Sequence, residues 1–514
     1  MTTLFRNALV LAMDDVHRAE PFRADVLVVD DRIGQVGTDL PVPDGAQVVD
    51  ATDRLLMPGL VNAHVHSWEA LFKGRYDNMP LELWMLLSYP ILGLEPMSER
   101  LVYLRTLLVA MESLRNGATC LLDDVIESPR QSMAALDAVF RGYEDAGIRA
   151  NCSGNIVNRP YVDTIPFADE VLPADLLAKA HEVPPRSTEE YLEFSREALA
   201  RYDGRAGRLR YVIAPSGPQR CTDDLFVAAN ELSREHDTTF HVHVLETKMQ
   251  AVTGREFYGS TLVEYLDRLG VLSDRATLAH GIWLTESDIA RLGEVGASVA
   301  HNPISNLKLG SGIAQWRALL DAGVNLGLGS DGLSSNDNAR MFDVIKSAAL
   351  LHKVTHPDYR TWPTAAEVLW AATRGGARSA RLADDVGAIE TGRKADFVVL
   401  DLRSINFTPV NDVPSHLVYV ENGDSITEVW ANGQVVVRDG RCLLIDEDAV
   451  LDELRGLAGE YLERYAKIEE LNRAFEPHFA EIYRRCCAEP IGINRWSGDE
   501  RAWVHGTAAG ADGA

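Results

Sequence analysis

The 514-residue chain has no apolar run approaching the ~18 residues that a membrane-spanning helix needs. It also has no Lys/Arg-rich stretch. Its 76 acidic residues outnumber 50 basic ones, for a net charge of −26. Such a chain repels phosphate backbones and anionic lipid surfaces, so neither a nucleic-acid nor a membrane partner is expected. Cysteine is scarce. Cys120, Cys152, Cys221, Cys442, Cys486 and Cys487 are scattered without framework or metal-ligand spacing, which predicts reduced thiols in a cytoplasmic protein. The short apolar run at the N-terminus is broken by Asp14 and Asp15, and no small-residue cleavage site follows, so a secretory signal is not expected. There is no low-complexity linker and no repeat beyond the alternation described next.

What the chain does have is apolar material, 46%, enough for one large core with smaller attachments. Residues 1–57 read as short strands joined by turns, and the same texture returns over 385–446. There, Asn432-Gly433 and Asp439-Gly440 are hairpin signals. The two ends are expected to meet in a small β-sandwich. Between them, over 58–384, eight short apolar runs alternate with amphipathic stretches: 55–66, 118–124, 148–154, 209–216, 239–246, 276–282, 298–303 and 325–331. Eight βα units predict an α/β fold, a (β/α)8 TIM barrel, whose functional groups collect at the C-terminal rim of the strands. Residues 447–514 carry leucines and aromatics at three- and four-residue spacing, which predicts a helical extension packed on the barrel or on a neighbouring subunit, with a lid over the site as the alternative.

Several of the eight runs end in His, Asp or Glu. His64 and His66 are two apart on the first, so both rings face the interior. His241 and His243 repeat the pattern on the fifth. His243 is one layer nearer the rim and is the expected ligand, with His241 a deeper packing or supporting group. His280 ends the sixth run and Asp331 the eighth. Glu246 lies three residues past His243, where strand gives way to loop. Three neutral imidazoles and one carboxylate suit Zn²⁺, and also Fe²⁺. His301 ends the seventh run and is read as structural.

These blocks, MPGLVNAHVH, KGRYDNMPLELWM, HVHVLET, LAHGIWLTESDI, HNPISNLKLGSGIA, GLGSDGLSSND and GRKADFVVLD, resemble the amidohydrolase superfamily over roughly residues 5–445. The likeness is to its branch of aminohydrolases and chlorohydrolases acting on nitrogen heterocycles. The resemblance implies the barrel architecture and metal-ligand roles for His64, His66, His243 and Asp331. It also implies one divalent metal rather than two. The fourth run reads YVIAPSGPQR, with Ser216 and no lysine to be modified.

The implied reaction is hydrolytic deamination of an amino-substituted ring by metal-bound hydroxide. Asp331 is the expected base, His280 orients the nucleophile, and Glu246 protonates a ring nitrogen. Dechlorination or N-dealkylation of a triazine-like ring uses the same attack. Trp84 is placed to close over a flat ring and Gln219 to read its edge. Members that deaminate adenine nucleosides carry a sugar-binding Glu where this chain has Leu92, and a His where it has Ser216. Free bases, pterins and triazines are therefore expected ahead of nucleosides. The partner is a small heterocycle, and a homo-oligomer is expected.

Overall fold

The computed structural model describes residues 2–127, 131–182 and 185–498. All eight expected runs contain a strand: β1 (Leu60–His66), β2 (Ala118–Asp123), β3 (Arg149–Ser153), β4 (Leu209–Val212), β5 (Phe240–Val244), β6 (Ala276–His280), β7 (Ser298–His301) and β8 (Asn325–Leu328). Every residue of β1, β2, β3, β5, β6 and β7 is buried. That is why these runs read as continuous apolar sequence rather than as an alternation: helices cover a parallel sheet. The strands form two parallel sheets. One carries β1 to β4, and the bridge Asp331–Gly332 beyond β8 pairs onto β1; the other carries β5 to β8. At the seam between β4 and β5, His241 N–H donates to Ile213 O at 2.9 Å and His243 N–H to Ser216 O at 3.0 Å. The fold is TIM-barrel-like α/β.

The run 55–66, expected as one strand, is two. Arg54–Pro58 belongs to the terminal sheet, and the chain re-enters at Leu60 as β1. Arg54–Pro58 pairs antiparallel with Phe397–Asp401, and this ladder joins the two chain ends. The expected sandwich appears as one connected nine-stranded sheet from both ends. Its inner face gathers Phe5, Phe397 and Trp430 within 5.6 Å of one another, centroid to centroid. Both hairpin signals hold. Asn432-Gly433 and Asp439-Gly440 all have positive φ, the geometry that matches strand twist in a two-residue turn. All six cysteines are buried and none is in a disulfide.

The C-terminal extension is helical over Glu447–Asn472 and Glu476–Ala488; its residues 499–514 lie outside the described ones. It packs on its own chain, against the helices Leu81–Ser88, Glu99–Arg115 and Lys248–Tyr258. Asn472 holds the loop after the first of these by accepting from Ile91 N and Leu92 N, both at 2.9 Å. Phe479 stacks on Tyr161 at 5.9 Å. Among the described residues no helix is long and apolar enough to cross a membrane.

Candidate metal centre and cavity

The strand ends bring His64, His66, His243, His280, Glu246 and Asp331 together, all at most 6% exposed. Asp331 Oδ1 lies 3.3 Å from His64 Nε2 and 3.6 Å from His66 Nε2, and its Oδ2 is 3.9 Å from His280 Nε2. Glu246 Oε1 is 3.6 Å from His280 Nε2. His280 and Asp331 have positive φ, 73° and 64°, as does Leu245 at the end of β5. Three rim residues thus sit in a sparsely populated backbone region, which turns the chain sharply and aims the side chain inward. Glycine permits the approach of the last strand. A Cβ on Gly329 would lie 2.3 Å from Asn302 Oδ1 and 2.9 Å from His64 Cβ.

The donor set fits a cation. His66 Nδ1 is held by Asp124 O at 2.8 Å and His243 Nδ1 by Ser216 O at 3.0 Å. A carbonyl only accepts, so both rings carry a proton on Nδ1 and turn Nε2 towards the centre. These two nitrogens face each other at 3.2 Å. His64 Nε2, which faces Asp331, has no hydrogen-bond partner. Two nitrogens facing each other as those of His66 and His243 do are compatible only with a positive charge between them, either a proton on His66 Nε2 or a metal ion bound by both. The electrostatics agree. Burial favours the neutral form of His66, yet Asp331, Asp124 and Glu69 draw a proton onto it and raise it to about 9. His243 is held neutral, first by burial and then by its histidine neighbours. Burial would raise Asp331, but His280, His64 and His66 keep it well below the usual carboxylate range. The same chemistry marks His64, His66 and His243, and His64, His280 and Asp331, as groups able to hold an ion.

His241 is fully buried, with Nε2 2.8 Å from His64 Nδ1. It supports a ring that faces the centre rather than facing it. Glu246 is pushed up by burial, towards a carboxyl that holds its proton. His301 points elsewhere, 3.1 Å from His352 and edge-on to Trp316.

A cavity of about 350 Å³ opens over these groups, lined among others by Trp84, Met85, Tyr89, Tyr161, Ser216 and Arg220. Trp84, on the helix Leu81–Ser88, thus lines the cavity. Gln219 is not among the lining residues: it is buried, and its Oε1 lies only 3.3 Å from where a Cβ on Gly217 would sit. The tight SGPQ turn packs that side chain inward, and it is the next residue, Arg220, that reaches the cavity. Sequence reasoning also missed Glu69 and Asp124. Glu69 accepts from Ser334 N, Ser334 Oγ and Tyr89 Oη at 3.0, 2.8 and 2.7 Å, and a Cβ at Gly332 would overlap its carboxylate. Asp124 accepts from Ser153 Oγ and Asn155 Nδ2 and, chiefly through burial, is raised to about 6. The available signal was an acidic residue at, or three residues past, a strand end.

Residues 55–436 match the model of the amidohydrolase family. The chain is 32% identical to the 5'-deoxyadenosine deaminase of Methanosarcina mazei, over 90% of this chain and 98% of that one. It is 36% identical to the 5-methylthioadenosine/S-adenosylhomocysteine deaminase of Nitratidesulfovibrio vulgaris strain DP4, over 88% and 96%. Among solved structures, a zinc-bound adenosine deaminase from Xanthomonas campestris superimposes with a TM-score of 0.78 at 30% identity, covering 90% and 98%. A zinc complex of the atrazine chlorohydrolase of Arthrobacter aurescens TC1 does so at 0.79 and 25%, covering 89% and 100%. The chain belongs to the amidohydrolase family.

Proposed function

We propose that this chain is a metal-dependent aminohydrolase that removes an amino group from a nitrogen heterocycle by adding water. The observation that carries the reading is the pair of Nε2 atoms of His66 and His243, 3.2 Å apart, beside the Asp331 carboxylate in the lining of the cavity. His64, His66, His243 and Asp331 hold one divalent metal, zinc ahead of iron(II). The imidazole-rich set suits both, and β4 offers no lysine for a second ion. The metal, when bound, supplies a Lewis acid that makes water a nucleophile at neutral pH.

The side chains do the rest. Asp331 takes the proton of the attacking water and delivers it to the departing amine. His280, its Nδ1 fixed by Asn306 Oδ1 at 2.9 Å, keeps Nε2 towards Asp331 and Glu246 and orients the nucleophile. Glu246, raised by burial, donates to a ring nitrogen as the ring gains charge. Trp84 covers the flat ring. We read the two parallel sheets as one closed (β/α)8 barrel over 58–384. Residues 1–57 with 385–446 then form a separate sandwich-like domain whose single sheet curls on itself, and the described part of the extension, 447–498, braces the mouth.

Adenine nucleosides enter the first screen because the curated relatives act on them. Free bases, pterins and triazines stand beside them because Ser216 lines the cavity, while Leu92 lies against the C-terminal helices. The likeness to an atrazine chlorohydrolase keeps chloride as an alternative leaving group. The test is ammonia and chloride release from that panel by metal-loaded protein. Deamination predicts ammonia from at least one ring. Chloride alone moves the protein to the dechlorinating branch, and neither product removes the hydrolytic reading.

A further inference from the structure

Three arginines are buried among the described residues: Arg105, Arg149 and Arg220. Two are neutralised. Arg105 pairs with Glu127, and Arg149 makes two contacts to Asp396, at 2.9 and 3.1 Å. Arg220 differs. It is 8% exposed, and its two hydrogen bonds go to a hydroxyl and a thioether: Nη1 to Ser216 Oγ and Nη2 to Met85 Sδ, each at 3.3 Å. Its Nε has no partner. Among the described residues no carboxylate oxygen lies within the 4.0 Å of an ion pair, although the buried carboxyls of Glu82 and Glu246 feel its charge. A guanidinium has five donors in a rigid planar fork, and one buried without an ion-pair partner is costly. The other two show how this fold neutralises a buried guanidinium when no ligand is involved. Arg220 is also the one that lines the cavity together with Ser216, His243, Glu246 and Trp84.

We propose that Arg220 is a specificity-determining residue that receives an oxygen-bearing acceptor edge of the substrate ring. That edge is either an oxo group beside a ring nitrogen or a ring carboxylate. The preferred substrate is then an amino-oxo or amino-carboxylate heterocycle. A planar fork matches two coplanar acceptors, the pairing by which arginine reads the oxo and ring-nitrogen edge of guanine. A ring that offers Arg220 only neutral nitrogens leaves its buried fork without a paired oxygen acceptor, and a site built to hydrogen-bond a group rejects analogues lacking it. The inference rests on the deamination reading for the reaction but not for the binding.

The test uses metal-loaded full-length protein and matched rings: an amino-oxo purine or pterin, the same ring bearing a carboxylate, and the ring with neither. Equilibrium binding is measured by calorimetry and turnover by ammonia release, for wild type, Arg220→Met and Arg220→Lys. Wild type is expected to favour the oxygenated rings ~10²-fold or more, and Arg220→Met to erase that ratio in both readouts. Arg220→Lys separates the two sources, because a point charge retains the carboxylate preference and loses the bidentate oxo one. An unchanged ratio in a folded Arg220→Met protein overturns the proposal. If that variant does not fold, the wild-type ratio decides with Arg220→Lys: a ratio near one overturns it. Ring discrimination with no ammonia from any ring sinks the proposed reaction and keeps Arg220. Equal turnover of all three rings keeps the reaction and sinks Arg220.

Discussion

β1 and β5 carry the same three-residue pattern, His64-Val-His66 and His241-Val-His243, at the same phase of a buried strand. They use it differently. On β1 both rings reach Asp331, at 3.3 and 3.6 Å. On β5 only His243 joins the centre, while His241 stays one layer deeper with its Nε2 on His64. The rings are level in pairs, His66 with His243 and His64 with His241, so depth alone does not separate them. Adjacency does. The end of the last strand pairs with β1, Asp331 opposite Val65, and so puts its carboxylate beside both β1 histidines. β5 pairs with β4 and β6 instead. A His-x-His motif therefore supplies two inward rings, and the strand next to it decides how many of them face the charge.

Breaking the shared element should have the largest effect. Asp331→Asn is expected to abolish turnover, since an amide is a weak ligand and cannot accept the water's proton. A variant that kept a tenth of wild-type kcat would remove Asp331 as the base. Next, His243→Ala should lose the metal, read by elemental analysis, and with it the ligand-linked part of the melting temperature. Chelation of wild type should lower Tm in the same way, and re-addition of metal should restore it. Glu246→Gln lies off both motifs and should lower kcat by ~10²-fold or more with metal content unchanged. Metal loss in proportion to activity would make Glu246 a ligand instead.

His241→Ala sharpens the comparison most. It should keep the metal but weaken its affinity by ~10–100-fold, the usual result of removing a group that orients a ligand ring. Metal loss as complete as in His243→Ala would show that the β5 histidines are equivalent after all. The smallest effect on the site is expected from His301→Phe, which breaks the other buried histidine pair. Its cost of ~1–3 kcal/mol should appear in denaturation midpoints and leave metal content alone.

Much of this was legible along the chain. The eight strands appear as apolar runs because each is covered on both faces. Histidines two apart must share a face, and the Asn-Gly and Asp-Gly hairpins turn where those residues tolerate positive φ. His280, Glu246 and Asp331 could be picked out because acids and imidazoles at strand ends have little packing use. Gln219 could not be separated from Arg220. They are neighbours in a tight turn, and which one reaches the cavity depends on how that turn packs against Gly217. Glu69 and Asp124 were hidden because a buried carboxylate reads like any other acid until its donors, Ser334, Tyr89, Ser153 and Asn155, arrive from distant segments. The extension was legible as helix, but not as the brace of Ile91, Leu92 and Tyr161.

The sequence by itself determined strand phase, turn positions and the inventory of ligands and acids, because these follow from backbone periodicity and local sterics. Only the tertiary structure decided that both ends share one connected sheet and that His241 supports His64. Only it left Arg220 facing the cavity without an ion-pair partner while Arg105 and Arg149 have theirs. Those outcomes depend on which strands are neighbours and on which charges meet across dozens to hundreds of residues, and no local pattern encodes either.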